Sequence, residues 1–322
     1  MNTIISAIYA HAGQGRAIAK DLALRLPDTL PHSFLDLLAA ARGACFRADA
    51  AFFTCGIVNA KSGACRENCS FCAQSQYHRG HAPVYPLVSA EALLQRAEYL
   101  ATTGTGRMGI VTSGTAPSEK DFDSLCEAAS RIRASVDIRL CASLGLLNRE
   151  QGLALRQAGF GRYHHNLETA ESYYPNVCTT HPYTVRVDTV RNAKAAGLEV
   201  CSGGIFGLGE TWAHRIELAH LLGELGVDSI PVNFLMPQKG TPLEGQPLLP
   251  PQEALAIIAI LRLMHPSCDI VVCGGREAVL REWGNLVLSS GANGIMVGNY
   301  LTTQGTSLQT DQDMFLTLGV RL

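Results

Sequence analysis

No apolar run in this 322-residue sequence approaches the roughly 20 residues needed to cross a bilayer, and the longest, ending at Leu261, is broken by Arg262. The opening MNTIISAIYAHAGQGR lacks the basic start and cleavage site of a secretory leader, so a cytoplasmic protein is expected. Charge is also scarce. Only 17% of residues are charged and the formal net charge is −2, which leaves no basic field to hold nucleic acid or an anionic membrane. No linker or low-complexity stretch divides the chain. What remains is a 47% hydrophobic composition, enough for a large buried core.

Cysteine is abundant: there are eleven. In a small secreted chain they would suggest a disulfide framework. In a large cytosolic chain metal or redox chemistry is the expected use, and an odd number cannot pair completely.

Residues 1–48 read as a helical extension, with Phe34, Leu37, Leu38, Ala41 and Cys45 on one helical face. From 49 to 322, β-rich runs alternate with amphipathic helical stretches. The strand candidates are 51–58, 107–114, 137–145, 162–169, 199–207, 229–237, 269–277 and 294–301. Ser89 and Ser118 suit helix N-caps, and Pro251 suits a first helical turn. This alternation predicts an α/β fold, a parallel (β/α)8 TIM-type barrel, with the active site at the C-terminal ends of the strands.

The segment SGACRENCSFCAQS places Cys65, Cys69 and Cys72 on one loop directly after the first strand. Three thiolates on a short loop can hold three irons of a [4Fe–4S] cube and leave the fourth open. An open iron can chelate the amino and carboxylate groups of S-adenosylmethionine and pass it an electron, giving a radical that takes hydrogen from unreactive carbon. Two plainer readings are a zinc site completed by His78 and three structural thiols. Phe71 could shield such a cluster or stack on adenine.

With these neighbours the triplet resembles the radical S-adenosylmethionine superfamily, and within it the biotin synthases. The likeness is carried by SGACRENCSFCAQSQYH, HHNLETAESYYPNV, VCSGGIFGLGET, PVNFLMPQKGTPL and the closing GREAV with GANGIMVGNYLTT, in order over almost the whole chain. It implies sulfur insertion between C6 and C9 of dethiobiotin, with a [4Fe–4S] cluster and S-adenosylmethionine as cofactors. It also implies a homodimer, a flavodoxin or ferredoxin-type electron donor, and dependence on iron–sulfur assembly machinery. By position, Asn166 and Glu168 fall where the family binds the cofactor's ribose, Glu168 being one carbon longer than the aspartate common there. Arg186 falls where an arginine engages the methionyl carboxylate. Asn166 and Asn233 match asparagines that bond the ureido ring of dethiobiotin. Gly203, Gly204, Gly207 and Gly209 resemble a glycine-rich strand end near the cofactor.

One departure stands out. The resemblance implies a second, [2Fe–2S] cluster with three cysteines and an arginine as ligands. Cys141 and Cys201 keep two of those positions, while Gly109 and Val271 occupy the others. Cys273 lies two residues after Val271, on the same strand face, and Cys55 lies on the first strand. Cys55, Cys141, Cys201 and Cys273 then sit on the first, third, fifth and seventh strands, and alternate strands supply one interior layer of a barrel. The expectation is an auxiliary four-iron cluster, with a [2Fe–2S] cluster as the alternative; plain buried thiols are the other reading of Cys55 and Cys273. Cys45, Cys126, Cys178 and Cys268 are read as structural. Of His164 and His165, one is expected to point inward and the other into packing. The same fold could also serve a maturase or mutase of the biotin-synthase-like group, or, in another class, a metal- or redox-sensing protein.

Overall fold

The computed structural model describes residues 3–47, 51–301 and 305–317. Its frame is a closed sheet of parallel strands. These are β1 (Phe53–Lys61), β2 (Arg107–Thr112), β3 (Arg139–Ser143), β4 (Phe160–His164), β5 in two segments (Glu199–Cys201 and Gly204–Phe206), β6 (Ser229–Phe234), β7 (Asp269–Val272) and β8 (Gly294–Met296). Each strand pairs with the next, and β1 pairs with β8. The ring closes at β5: its first segment joins β4 and touches β6 at Cys201 and Ser229, and its second runs along β6. This is the expected eight-stranded barrel.

Helices fill the crossovers: α4 (Ala90–Thr102), α5 (Glu119–Ser135), α6 (Arg149–Ala158), α7 (Tyr183–Ala195), α8 (Trp212–Glu224) and α9 (Pro251–Met264), with the short α10 (Arg276–Leu280) after β7. Ser89 and Ser118 accept from the backbone N–H groups of Ala92 and Asp121, so each satisfies an otherwise orphaned donor at a helix start. Pro251 opens α9.

Three helices precede the barrel: α1 (Thr3–Gly13), α2 (Lys20–Arg25) and α3 (Leu30–Arg47). Phe34, Leu37, Leu38, Ala41 and Cys45 are all buried on α3, as the helical spacing requires. That face packs on α9, which is why α9 is buried on every side from Ala254 to Met264 rather than only toward the barrel. Arg262 sits fully buried in this seam. Its guanidinium donates to the carbonyls of Gly291, His265, Pro266 and Cys268 and to Asn293 Oδ1, so the charge is dispersed over five acceptors. The boundary expected at residues 48 and 49 lies outside the described residues, as does the Thr302–Thr303 end of the closing motif. A last helix, α11 (Leu308–Thr317), is tied back by two 2.7 Å bonds from Arg276 to Asp311.

Candidate active site

Apart from β1, which runs on to Lys61, the strands are shorter than the sequence pattern suggests, and the site occupies the released ends. β4 stops at His164, because Glu168 takes a left-handed backbone (φ 71°), a conformation costly for a residue with a Cβ. The turn is held by Glu168 N–H donating to Gly203 O and Ile205 N–H donating to Glu168 O. Gly203 and Gly204 make that approach feasible. A Cβ on Gly203 would lie 2.2 Å from Pro231 O, and one on Gly204 2.4 Å from Glu168 O. The two glycines therefore admit neighbouring backbone, the close approach expected of a glycine-rich strand end.

At this end the barrel holds a cavity of about 440 Å³. Its wall contains Cys65, Cys69 and Cys72 of the cysteine loop with Phe71, the polar residues Asn166, Glu168, Arg186 and Asn233, and the strand cysteines Cys55, Cys141, Cys201 and Cys273. Every cysteine, asparagine, glutamate and arginine read from the sequence as a ligand or binding residue thus borders one space, while Cys45, Cys126, Cys178 and Cys268, read as structural, do not line it.

The cysteine loop after β1 is folded on itself rather than extended. Cys65 N–H donates to Gln74 O, Gln76 N–H to Cys65 O, and Cys72 N–H to Cys69 O. His78 Nε2 donates to the Cys69 carbonyl at 2.9 Å, and among the described residues His78 joins no group of side chains spaced to hold a metal ion. Burial pushes the Cys72 thiol up to about 11. A hydrogen bond with Cys178 first, and burial second, hold the Cys69 thiol protonated. Cys178, expected to be structural, is therefore a neighbour of the triplet.

Two buried oxygens that face no protein partner are Asn166 Oδ1 and Glu168 Oε2. Buried acceptors left unmatched mark a place for a hydroxyl or N–H donor from a bound molecule. Arg186 sits beside them. Its Nη1 donates to Asn166 O at 2.9 Å and to Glu168 Oε1 at 3.3 Å, and its Nη2 stands 3.9 Å from Cys69 Sγ. Burial works against its charge, but Glu168, Tyr174 and Cys69 together hold it charged. Asn233 is fixed at both ends of its amide, by Gly204 O at 3.3 Å and Gly274 N–H at 3.2 Å.

The deeper thiols form a separate group. Cys141, Cys201 and Cys273 are buried, yet none joins the apolar core. Cys273 falls just beyond the last residue of β7 and keeps the inward face of Val271, which also lines the cavity. Burial drives all four thiols up, Cys55 to about 12, and their mutual repulsion as thiolates adds to the shift of Cys55, Cys141 and Cys273. Two buried cations oppose it. Arg107 and Arg162 share Glu199 at 3.3 and 2.9 Å, Arg162 also reaches Asp269 at 3.2 Å, and both arginines favour the thiolates of Cys55, Cys141 and Cys201. Four thiols lining one cavity, with two arginines close enough to favour their ionised forms, suit a cationic iron core that would keep them ionised. His164 Nδ1 lies 3.5 Å from Cys201 Sγ, and burial lowers this histidine to about 4. Both His164 and His165 border the cavity, where only one was expected.

Residues 60–222 match the radical SAM superfamily, and residues 231–321 match the Biotin and Thiamin Synthesis associated domain. The barrel resembles two solved structures at a level that speaks for fold alone. An FeFe-hydrogenase maturase from Carboxydothermus hydrogenoformans has a TM-score of 0.81 at 19% identity, with 98% of this chain and 78% of that one covered. A methylornithine synthase has a TM-score of 0.77 at 22% identity, covering 90% and 85%. Fold, cysteine loop and family match together define a radical S-adenosylmethionine enzyme.

Nearer relatives narrow this. A biotin synthase of Nitratidesulfovibrio vulgaris (strain Miyazaki F) is 56% identical over 90% of this chain and 83% of its own length. One of Oleidesulfovibrio alaskensis is 50% identical over 94% and 93%. The chain belongs to the biotin synthase family. Membership brings a [4Fe–4S] cluster, S-adenosylmethionine and an auxiliary iron–sulfur cluster as cofactors, and radical sulfur transfer as the activity. Among the described residues no helix is long and apolar enough to cross a membrane.

Proposed function

We propose that this enzyme inserts sulfur between C6 and C9 of dethiobiotin, drawing the sulfur from a four-iron auxiliary cluster held by Cys55, Cys141, Cys201 and Cys273. The observation that carries the reading is the meeting of two thiol groups in one cavity, with Asn166 and Asn233 beside them. When bound, the first cluster and S-adenosylmethionine supply one-electron chemistry able to take hydrogen from unreactive carbon.

The chain's own residues do the rest. Cys65, Cys69 and Cys72 would hold the first cluster, which would supply the electron that the cofactor accepts. Glu168 and Asn166 take the ribose hydroxyls with their unmatched oxygens. Arg186 meets the methionyl carboxylate, where a planar, permanently charged fork outperforms a lysine. Phe71 covers the cluster side. Asn233, already clamped, presents its remaining N–H and lone pair to the ureido ring, which both donates and accepts. Val271 cannot ligate where the resemblance implies an arginine, and Cys273 on the same face replaces it. The N-terminal helical extension, over its described residues 3–47, acts as a support for the barrel from outside. A flavodoxin or ferredoxin-type donor, iron–sulfur assembly machinery, a homodimer and a cytoplasmic setting complete the reading.

The test is growth of a biotin auxotroph lacking its own enzyme of this step. Expression of the chain restores growth on dethiobiotin. Failure of growth, with soluble protein and an assembled first cluster, contradicts the assignment.

A further inference from the structure

An arginine that must meet a carboxylate near a metal cluster has to be held still, because its long side chain otherwise samples many rotamers. Three side chains in this structure form a continuous path to Arg186. Arg186 Nε stands 2.9 Å from Tyr174 Oη and 3.1 Å from His181 Nε2. Tyr174 Oη is 2.8 Å from His181 Nε2, and His181 Nδ1 is 2.7 Å from Glu67 Oε2. Glu67 lies between Cys65 and Cys69, on the cysteine loop itself.

The hydrogens can be placed in one consistent direction. Arg186 donates to Tyr174, Tyr174 donates to His181 Nε2, and His181 donates from Nδ1 to the Glu67 carboxylate. Thr115 Oγ1 and Thr180 Oγ1 also donate to Glu67. Asn68 then fastens the two loops, donating to Thr179 Oγ1 at 2.7 Å and accepting from Thr179 N–H at 2.9 Å. Glu67, Cys178 and His181 are spaced closely enough to hold a metal ion. Both ring nitrogens and both carboxylate oxygens are already bonded, however, so the group is a relay of hydrogen bonds.

We propose that Tyr174 and His181 are positioning residues that fix Arg186 to the cysteine loop through Glu67, so that the cluster's ligands and the arginine for the cofactor's carboxylate move as one body. The inference rests on the reading of Arg186 as the carboxylate partner.

The test uses the full chain, reconstituted without oxygen, as His181→Ala, Tyr174→Phe, His181→Gln and Arg186→Ala. Three quantities are measured: S-adenosylmethionine affinity by equilibrium dialysis, the change in the reduced cluster's electron paramagnetic resonance when the cofactor is added, and iron per chain. His181→Ala and Tyr174→Phe are expected to weaken the cofactor about tenfold, the loss of one hydrogen bond to a charged group, with iron unchanged and the spectral change still complete at saturation. Glutamine at 181 can donate to Glu67 and accept from Tyr174, and recovers most of the affinity. Unchanged affinity in both variants, while Arg186→Ala weakens binding, overturns the relay and leaves the role of Arg186 standing. Unchanged affinity in Arg186→Ala overturns that role and the relay with it. Loss of iron in both variants shows a loop support rather than an aimed arginine, and also overturns the proposal.

Discussion

At Cys273 a single sulfur decides between two kinds of barrel interior. Its inward face was readable from the two-residue step after Val271, while Cys141 and Cys201 came from the resemblance and Cys55 from its place on the first of four alternate strands. The triplet of Cys65, Cys69 and Cys72 was more legible still, because its chemistry is local to one loop. Glu67, Tyr174 and His181 were not, since the contact between Glu67 and His181 spans 114 residues and no local spacing announces it. The nearness of Cys178 to Cys69 was hidden for the same reason, since nothing in its own segment announces it. Replacing Cys273 by alanine is expected to lower iron from about eight per chain to about four, abolish biotin formation, and leave S-adenosylmethionine cleavage within about threefold. Iron analysis and product chromatography read both effects; full iron content in the variant contradicts the ligand assignment.

Among the elements, the helices were the more legible. Their caps are written in single residues such as Ser89 and Ser118, whereas the strand ends depend on what packs across them. The sequence pattern carries the fourth strand to residue 169 and the fifth unbroken to 207. The structure stops β4 at His164 and interrupts β5 at Ser202 and Gly203, because the backbone of Glu168 must come close to Gly204. Gly203→Ala would place a methyl group 2.2 Å from Pro231 O, a backbone atom that cannot swing away. The expected cost is about 2–4 kcal/mol in urea denaturation, or failure to fold. An unaltered midpoint would show that the close approach is not required.

The N-terminal helices, α8 and α9 pack into one body outside the barrel, and the contact of α8 with the end of α9 carries a pH dependence. His265 ends α9, is 8% exposed, and is pushed down to about 4 by burial, with Arg262 helping and a backbone hydrogen bond at Ala219 opposing. In the unfolded chain it titrates near 6.5. The folded state keeps it neutral while the unfolded state takes up a proton first, so its contribution is full above about 6.5 and is lost as pH falls toward 4. Between pH 7 and 5 the loss amounts to about 2 kcal/mol. The protein without its clusters should show this in its urea midpoint, and His265→Met should flatten the slope. An equal slope in the variant would place the titrating group elsewhere.

The activity itself is a property of the whole cavity, since it needs both thiol groups, the cofactor residues and the ureido asparagines at once. Its most direct test is an anaerobic turnover of protein whose clusters were rebuilt with isotopically labelled sulfide, supplied with reductant, S-adenosylmethionine and dethiobiotin. Mass spectrometry should find 5′-deoxyadenosine together with biotin carrying the label. 5′-Deoxyadenosine with no biotin, or biotin without the label, would contradict sulfur insertion from a cluster held by this chain.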